Sequence, residues 1–500
     1  MVARDVYTST TRLSCLTNPT ATDLDPSSLC FAFPVPTDKA EFRRQRDALS
    51  SCLSRDECAG FEEFMRPRAL AELPSSPELV VVIGVTPAGC EALVLLQGRS
   101  MTVVTLSALN AEAVEKLHQS WLTSSSYNWT ATRGPPTRPY TATRGPPTWP
   151  YSTTIRHSKY GNPYDGKPMW YPWSRHRHLW DPRQCILGGV VSAPTLPLRP
   201  QAAQTHANSV DACRRVMVNL WRMIVSPILG VINSIQHMDR DRLPHVTWCP
   251  SGLLSRLPLH AAGVYGEHHS TCAFDVVVSS YASSLATLLD ATKGASDRHP
   301  VSPNVLVVTQ PTTPERTPLP GATVEGTRMR NVLTQFHVAS TSLDNDSATV
   351  DSVLATLHHH SWVHFACHGD SSATQSALSM YDGPLSIPGL SRALVSENAE
   401  LAFLSACQKN AKLPPADLAD CMLGIGFKGV VSPMWLLEDE DAPIVAEAYY
   451  THLLELRRTG QVEPGSTGAA YALHEAVKQL RAKVGEDNFL RWATFVHRGV

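Results

Sequence analysis

Val363-His364-Phe365-Ala366-Cys367-His368-Gly369 and Leu401-Ala402-Phe403-Leu404-Ser405-Ala406-Cys407-Gln408 are two apolar, β-prone runs, one closing on His-Gly and the other on Cys. Short apolar runs of this kind read as strands buried on both faces. In an open α/β sheet functional groups gather where strands end, so the two runs place His368 and Cys407 in one crevice. The two residues are 39 positions apart, room for one connection between neighbouring parallel strands.

Working outward, strand-like and helix-like runs alternate. Strands are expected at His245 to Cys249, Asp275 to Tyr281, Asn304 to Gln310 and Gly429 to Trp435. Helices are expected from about Asp211, through Leu289, from Val324 to Phe336, from Ser347 to His359 with Asp346 or Ser347 as its cap, and through Asp417 to Phe427, with two long helices closing the chain. Pro227 should kink or end the helix that carries Val216, Leu220, Ile224 and Ile228. The pattern predicts an α/β fold, a mostly parallel sheet with helices on both faces. Nearer the N-terminus, Leu79 to Val85, Ala92 to Leu96 and Met101 to Leu106 read as three strands and Ala111 to Leu122 as a helix. Residues 1–40 lack a sustained period and read as a loose tail. At Thr130 an eleven-residue unit, Thr-Ala-Thr-Arg-Gly-Pro-Pro-Thr-Arg-Pro-Tyr, begins and recurs once at Thr141 with Trp149 in place of the second Arg. Its proline density opposes helix and central strand, so 130–200 reads as an extended or disordered insert between a region 41–129 and a domain 205–500.

Bulk composition narrows the function classes. Lys plus Arg number 43 against 45 Asp plus Glu, a balance that gives no pull toward nucleic acid or an anionic membrane. No run reaches the roughly 18 consecutive apolar residues of a membrane span, and the first residues lack the apolar core of a secretory signal. The 12 cysteines are scattered, which suits reduced thiols and a cytoplasmic location better than a disulfide framework.

A cysteine thiolate beside a histidine is the chemistry of covalent acyl transfer: the thiolate attacks and the imidazole serves as acid and base. Gly369 allows close backbone approach, and its N–H with that of Cys407 could form an oxyanion hole. Cys407 equally fits a buried apolar thiol, and His368 a satisfied core histidine; their joint placement favours the dyad. Cys367 has the opposite strand parity and is assigned to packing, whereas His364 shares the parity of His368 and is a candidate contact behind it. His358, His359, His360, His364, Cys367 and His368 crowd one region without a zinc-site spacing, so no metal is expected. No nucleotide-binding loop opens any helix, and no cofactor is implied. Glu438-Asp439-Glu440-Asp441 follows the strand at 429–435. The run complements the dipole of the next helix, and Asp439, Glu440 and Asp441 could also wall a pocket for a basic substrate side chain.

These segments together resemble the CHAT domain, a caspase-like cysteine peptidase fold related to separase and often found behind tetratricopeptide repeats. His364-Phe365-Ala366-Cys367-His368-Gly369 resembles its histidine motif and Phe403-Leu404-Ser405-Ala406-Cys407-Gln408 its cysteine motif. Gly429-Val430-Val431, Met434-Trp435 and Asp439 to Pro443 resemble the strand and helix that follow. Upstream, Cys249 to Leu254 with Leu257 to Ala262, and Leu319-Pro320-Gly321-Ala322, are similar to its first strand and mid-domain loop, so the likeness spans about Asp211 to Val500. The region Gly60 to Leu106 resembles the segment that joins the repeats to this domain; no repeat period precedes residue 60. The resemblance implies a caspase-like fold, His368 as general acid/base, Cys407 as nucleophile for peptide-bond hydrolysis, a protein or peptide substrate, and an activating protein partner. Lys409-Asn410 depart from the small residues common after the family's cysteine. The rival expectation is a catalytically silent module that binds a peptide in the same crevice.

Overall fold

The computed structural model describes residues 79–86, 89–96, 101–132, 200–235, 242–266, 270–292, 302–371, 376–392, 399–408, 416–463 and 465–500. The expected tail at 1–40, the region 41–78 and nearly all of the proline-rich insert lie outside them.

Along the chain the elements are β1 (Leu79–Thr86), β2 (Gly89–Leu96), β3 (Met101–Thr105), α1 (Ala111–Thr132), α2 (Pro200–Leu220), a π-helical turn (Trp221–Val225) and α3 (Ser226–Ile235). Next come β4 (His245–Pro250), a ribbon of β5 (Gly263–Val264) and β6 (Thr271–Cys272), β7 (Val278–Tyr281), α4 (Leu285–Thr292), β8 (Asn304–Thr309), α5 (Pro320–Gln335) and β9 (Ala339–Asp344). The remainder comprises α6 (Val350–Leu357), β10 (Trp362–Ser371), β11 (Ser376–Ser379), β12 (Pro384–Ser386), α7 (Ile387–Arg392), β13 (Leu401–Gln408), α8 (Ala416–Gly424), β14 (Gly429–Pro433), α9 (Ala442–Arg458), α10 (Ala469–Val484) and β15 (Phe495–Gly499).

Apart from the ribbon, the strands form one mixed, mostly parallel sheet in the order β12-β11-β10-β13-β14-β15-β7-β4-β1-β2-β3, with β8 beside β10 and β9 beside β8. Strands before and after the insert share it, because β1 pairs in parallel with β4 from Leu79↔Val246 to Ile83↔Pro250. Two apolar layers cover its faces. One holds Val305, Val307, Trp362 and Phe403 against Met329, Leu333, Tyr449 and Tyr450; the other holds Leu306, Val308, Val363 and Phe365 against Val353, Leu357, Ala419 and Met422. Alternating strand residues feed the two layers, which is why these runs are apolar throughout.

Local departures from the sequence expectations have physical causes. α1 runs into the first repeat unit as far as Thr132, just short of Arg133-Gly134-Pro135. Pro227 neither ends nor breaks its helix. It lacks an N–H and crowds the carbonyl four residues back, at Met223, and the π turn at 221–225 widens the helix there. By length and composition Ser209–Ser234 could cross a membrane, but Met217, Leu220, Ile224 and Ile228 are fully buried in the core. The strand expected from Asp275 starts at Val278, after a one-turn helix at Ala273–Val276. The cap of α6 is Thr349, whose side chain accepts from the Ser352 amide, in place of Asp346 or Ser347.

Candidate functional site

The strand order around β10 creates the site. From β8 the chain crosses through α5 to β9 on one side; from β9 it crosses through α6 to β10 on the other. α5 contributes to the layer containing Trp362 and Phe403, and α6 to the opposite layer, so the gap between β8 and β10 is a topological switch point. Ligands in open α/β sheets bind at such points, beyond the carboxyl ends of the strands.

His368 and Cys407 stand directly opposite each other in the parallel register of β10 and β13, one strand spacing of about 4.8 Å apart. Both flanking strands stop short of them. Pairing with β8 ends at Ala366↔Thr309, and pairing with β14 ends at Phe403↔Val431. The loops that leave β8 and β14 therefore border the two positions, and each supplies a group. From the first loop, the Thr317 carbonyl oxygen accepts a hydrogen bond from His368 Nε2 at 2.7 Å. A carbonyl only accepts, so Nε2 carries the proton, and in the neutral ring the basic nitrogen is Nδ1. From the second loop, Asp439 accepts the Gly321 N–H on Oδ2 at 2.6 Å. Burial raises the pKa of this carboxyl above its ordinary value, opposed by the Gly321 hydrogen bond and by the charge of His368.

The remaining expected site residues fall into place unevenly. Gly369 lies within β10, which runs on to Ser371, opposite Leu378 on one side and Gln408 on the other. Of the acidic run, Asp439 sits in the electrostatic reach of His368. Asp441 is completely buried and bound by Arg491, whose Nε reaches Oδ2 at 2.7 Å; Glu440 also meets Arg491, at 2.5 Å. Asp441 precedes α9 without a side-chain capping bond, its carboxylate being turned to Arg491. Cys367 is buried in the opposite apolar layer, as its parity predicts. Among the described residues no group of three or more His, Cys, Asp or Glu could hold a metal ion.

Sequence reasoning missed two contributors. Thr317 acts through its carbonyl, so its side chain carries no signal; the adjoining Leu319-Pro320-Gly321-Ala322, expected as a loop ahead of a helix from Val324, already opens α5, with Pro at the first position. The second is Glu325, 1% exposed, whose Oε1 lies 3.0 Å from Nε2 of the equally buried His364. Those two atoms meet without the alignment of a hydrogen bond. Glu325 Oε2 accepts from Ser405 Oγ at 3.1 Å, and the Tyr450 hydroxyl lies 3.3 Å from His364 Nδ1.

The CHAT domain family matches residues 214–500. The chain belongs to the CHAT domain family. No curated protein matches the sequence. Among solved structures, a chain of the Saccharomyces cerevisiae separase–securin complex is similar at TM-score 0.51 and 11% identity, over 92% of this chain and 33% of that one. A second structure of that complex gives 0.48 and 10%, covering 100% and 34%. The Arg-specific cysteine proteinase gingipain R gives 0.38 and 12%, covering 56% and 68%. This CHAT chain thus spans about one third of the separase-complex chain and shares with it the caspase-like arrangement of a mostly parallel sheet flanked by helices.

Proposed function

We propose that this CHAT protein is a cysteine endopeptidase in which Cys407 is the nucleophile and His368 the general acid/base. The observation that carries the reading is the His368↔Cys407 register at the switch point, with His368 held through Nε2 by the Thr317 carbonyl. In the reaction the Cys407 thiolate attacks the carbonyl carbon of a peptide bond, and His368 Nδ1–H gives its proton to the departing amine. Water then attacks the thioester, His368 takes up the proton, and the acid product leaves. The backbone amides of Cys407 and Gly369 are the proposed oxyanion donors. Beyond Phe403, β13 has no strand partner on its far side among the described residues.

The substrate is a protein or peptide, and Asp439 favours a basic side chain beside the scissile bond. No cofactor takes part. A cytoplasmic setting belongs to the same proposal, supported by the buried cysteines Cys90, Cys213 and Cys272, which are not disulfide-bonded. The second reading, a silent binding module or an enzyme awaiting an activating partner, is favoured by one observation: His368 is 1% exposed.

Electrophilic peptide probes with basic or acidic P1 residues, followed by mass-spectrometric location of the adduct, separate the readings. The peptidase reading expects labelling at Cys407 that is lost in Cys407→Ala and in His368→Ala. A folded wild-type protein that takes up no probe would put the silent module ahead.

A further inference from the structure

Glu325, His364, Ser405 and Tyr450 form a polar network sealed inside an aromatic and aliphatic layer. His364 stacks on Phe403 with ring centroids 4.9 Å apart, and His364, Glu325 and Ser405 are all 5% exposed or less. A buried carboxylate–histidine pair is a poor device for stability, because desolvation offsets most of the attraction; apolar residues of similar size serve as well or better. What such a network provides is direction: each partner has to sit at one place relative to the others.

The elements it joins are those that assemble the dyad. His364 lies four residues before His368 on β10, on the same face, and Ser405 lies two before Cys407 on β13. Glu325 is on α5, whose first turn follows directly on Thr317 and holds Gly321 against Asp439. α5 also rides close to the sheet. A Cβ on Gly326 would stand 2.6 Å from Thr309 Cγ2, so that helix turn rests on the end of β8.

We propose that Glu325 is a positioning residue: its contacts to His364 and Ser405 fix α5 against β10 and β13, so that the Thr317 carbonyl meets His368 and His368 stays level with Cys407. The inference rests on the dyad reading above and adds the group that holds the dyad in register.

The test follows the pH dependence of Cys407 alkylation by iodoacetamide, located by peptide mapping. It compares the wild type, Glu325→Gln, and an apolar variant combining Glu325→Leu, His364→Leu, Ser405→Ala and Tyr450→Phe. In the wild type the rate should inflect below the ordinary thiol value of about 8.5. The apolar variant should fold, with an unchanged or higher Tm, yet its inflection should rise by about one pH unit and its rate near pH 6.5 fall about tenfold. Glu325→Gln, which can still accept from Ser405, should stay closer to the wild type. An apolar variant with the wild-type inflection would overturn the positioning role and leave the dyad standing, and one that fails to fold would also overturn it, by making the network a source of stability. A wild type without a lowered inflection would remove the dyad reading itself, and this inference with it.

Discussion

The Gly321 amide and the Asp439 carboxylate, 118 residues apart in sequence, meet at 2.6 Å, and a Cβ on Gly321 would stand 2.1 Å from the Asp439 carbonyl oxygen. The first N–H groups of a helix have no partner inside it; here a carboxylate from the loop after β14 satisfies one and complements the positive end of α5. Gly321→Ala cannot keep this approach, since the obstacle is backbone and has no rotamer to move to. Thermal unfolding should register a loss of about 2 kcal/mol, the typical cost of overpacking, and His368 should lose its fixed partner on Thr317. A Gly321→Ala protein as stable as the wild type would show that the loop yields freely.

Asp439 itself gives a prediction of opposite sign for stability and function. Burial raises its pKa in the folded protein. Between the unfolded and folded pKa values the folded state binds the proton better, so stability is higher at low pH and is lost as pH rises through that window. At neutral pH the ionised carboxylate is therefore a cost, and Asp439→Asn should match or exceed the wild-type Tm at pH 7, the difference vanishing toward pH 3. Probe labelling at Cys407 should fall in the same variant, because the negative charge beside His368 is gone. A lower Tm at pH 7 together with unchanged labelling would contradict both halves.

Much of this site is written in strand periodicity. The parity of His364, Cys367 and His368 assigned each to its face correctly, because alternation in a strand is strict and the apolar neighbours fix which side is buried. β15 escaped notice although it joins β14 to β7 near the middle of the sheet. Phe495-Val496-His497-Arg498-Gly499 is short, carries two basic residues, and is held by pairing on both sides more than by its own composition. β9 escaped for the opposite reason: Ala339–Asp344 is a largely exposed edge strand without an apolar face. In the acidic run, sequence could not divide Asp439 from Asp441, since that division depends on Arg491, about fifty residues away.

Arg491 supplies a further test. Asp441 is fully buried and its charge is matched by this guanidinium, whose own pKa is raised chiefly by the Asp441 hydrogen bond. Arg491→Met would leave an orphaned buried carboxylate, a change that typically costs about 3–5 kcal/mol. Adding Asp441→Asn should recover a good part of that loss, since the orphaned charge disappears with it. Urea denaturation of the two single variants and the double gives the coupling directly; additive losses would mean that the pair is not an energetic unit.

Acid should weaken the fold through three buried histidines. His245 Nε2 meets Ser280 Oγ at 2.6 Å, and the same hydroxyl meets His497 Nδ1 at 2.7 Å; His260 is held between the Tyr281 hydroxyl and the Ala493 carbonyl. Burial lowers His245 and His260 to about 4 and His497 to about 3. In the unfolded chain each titrates near 6.5. Below that pH the unfolded state takes up protons that the folded state refuses, so stability falls as pH drops from about 6.5 toward 4. Each site contributes a slope of up to about 1.4 kcal/mol per pH unit, which makes the expected loss on the order of 3 kcal/mol between pH 6.5 and 5.5. Urea midpoints at pH 7.5, 6.5 and 5.5 measure it. His497→Asn, which keeps a polar group beside Ser280, should remove about a third of the slope that these three sites contribute, to which His474, also lowered to about 4 by burial, adds its own. A stability flat across that range would mean that the imidazoles gain protons without opening the sheet between β4, β7 and β15, against the burial that encloses them.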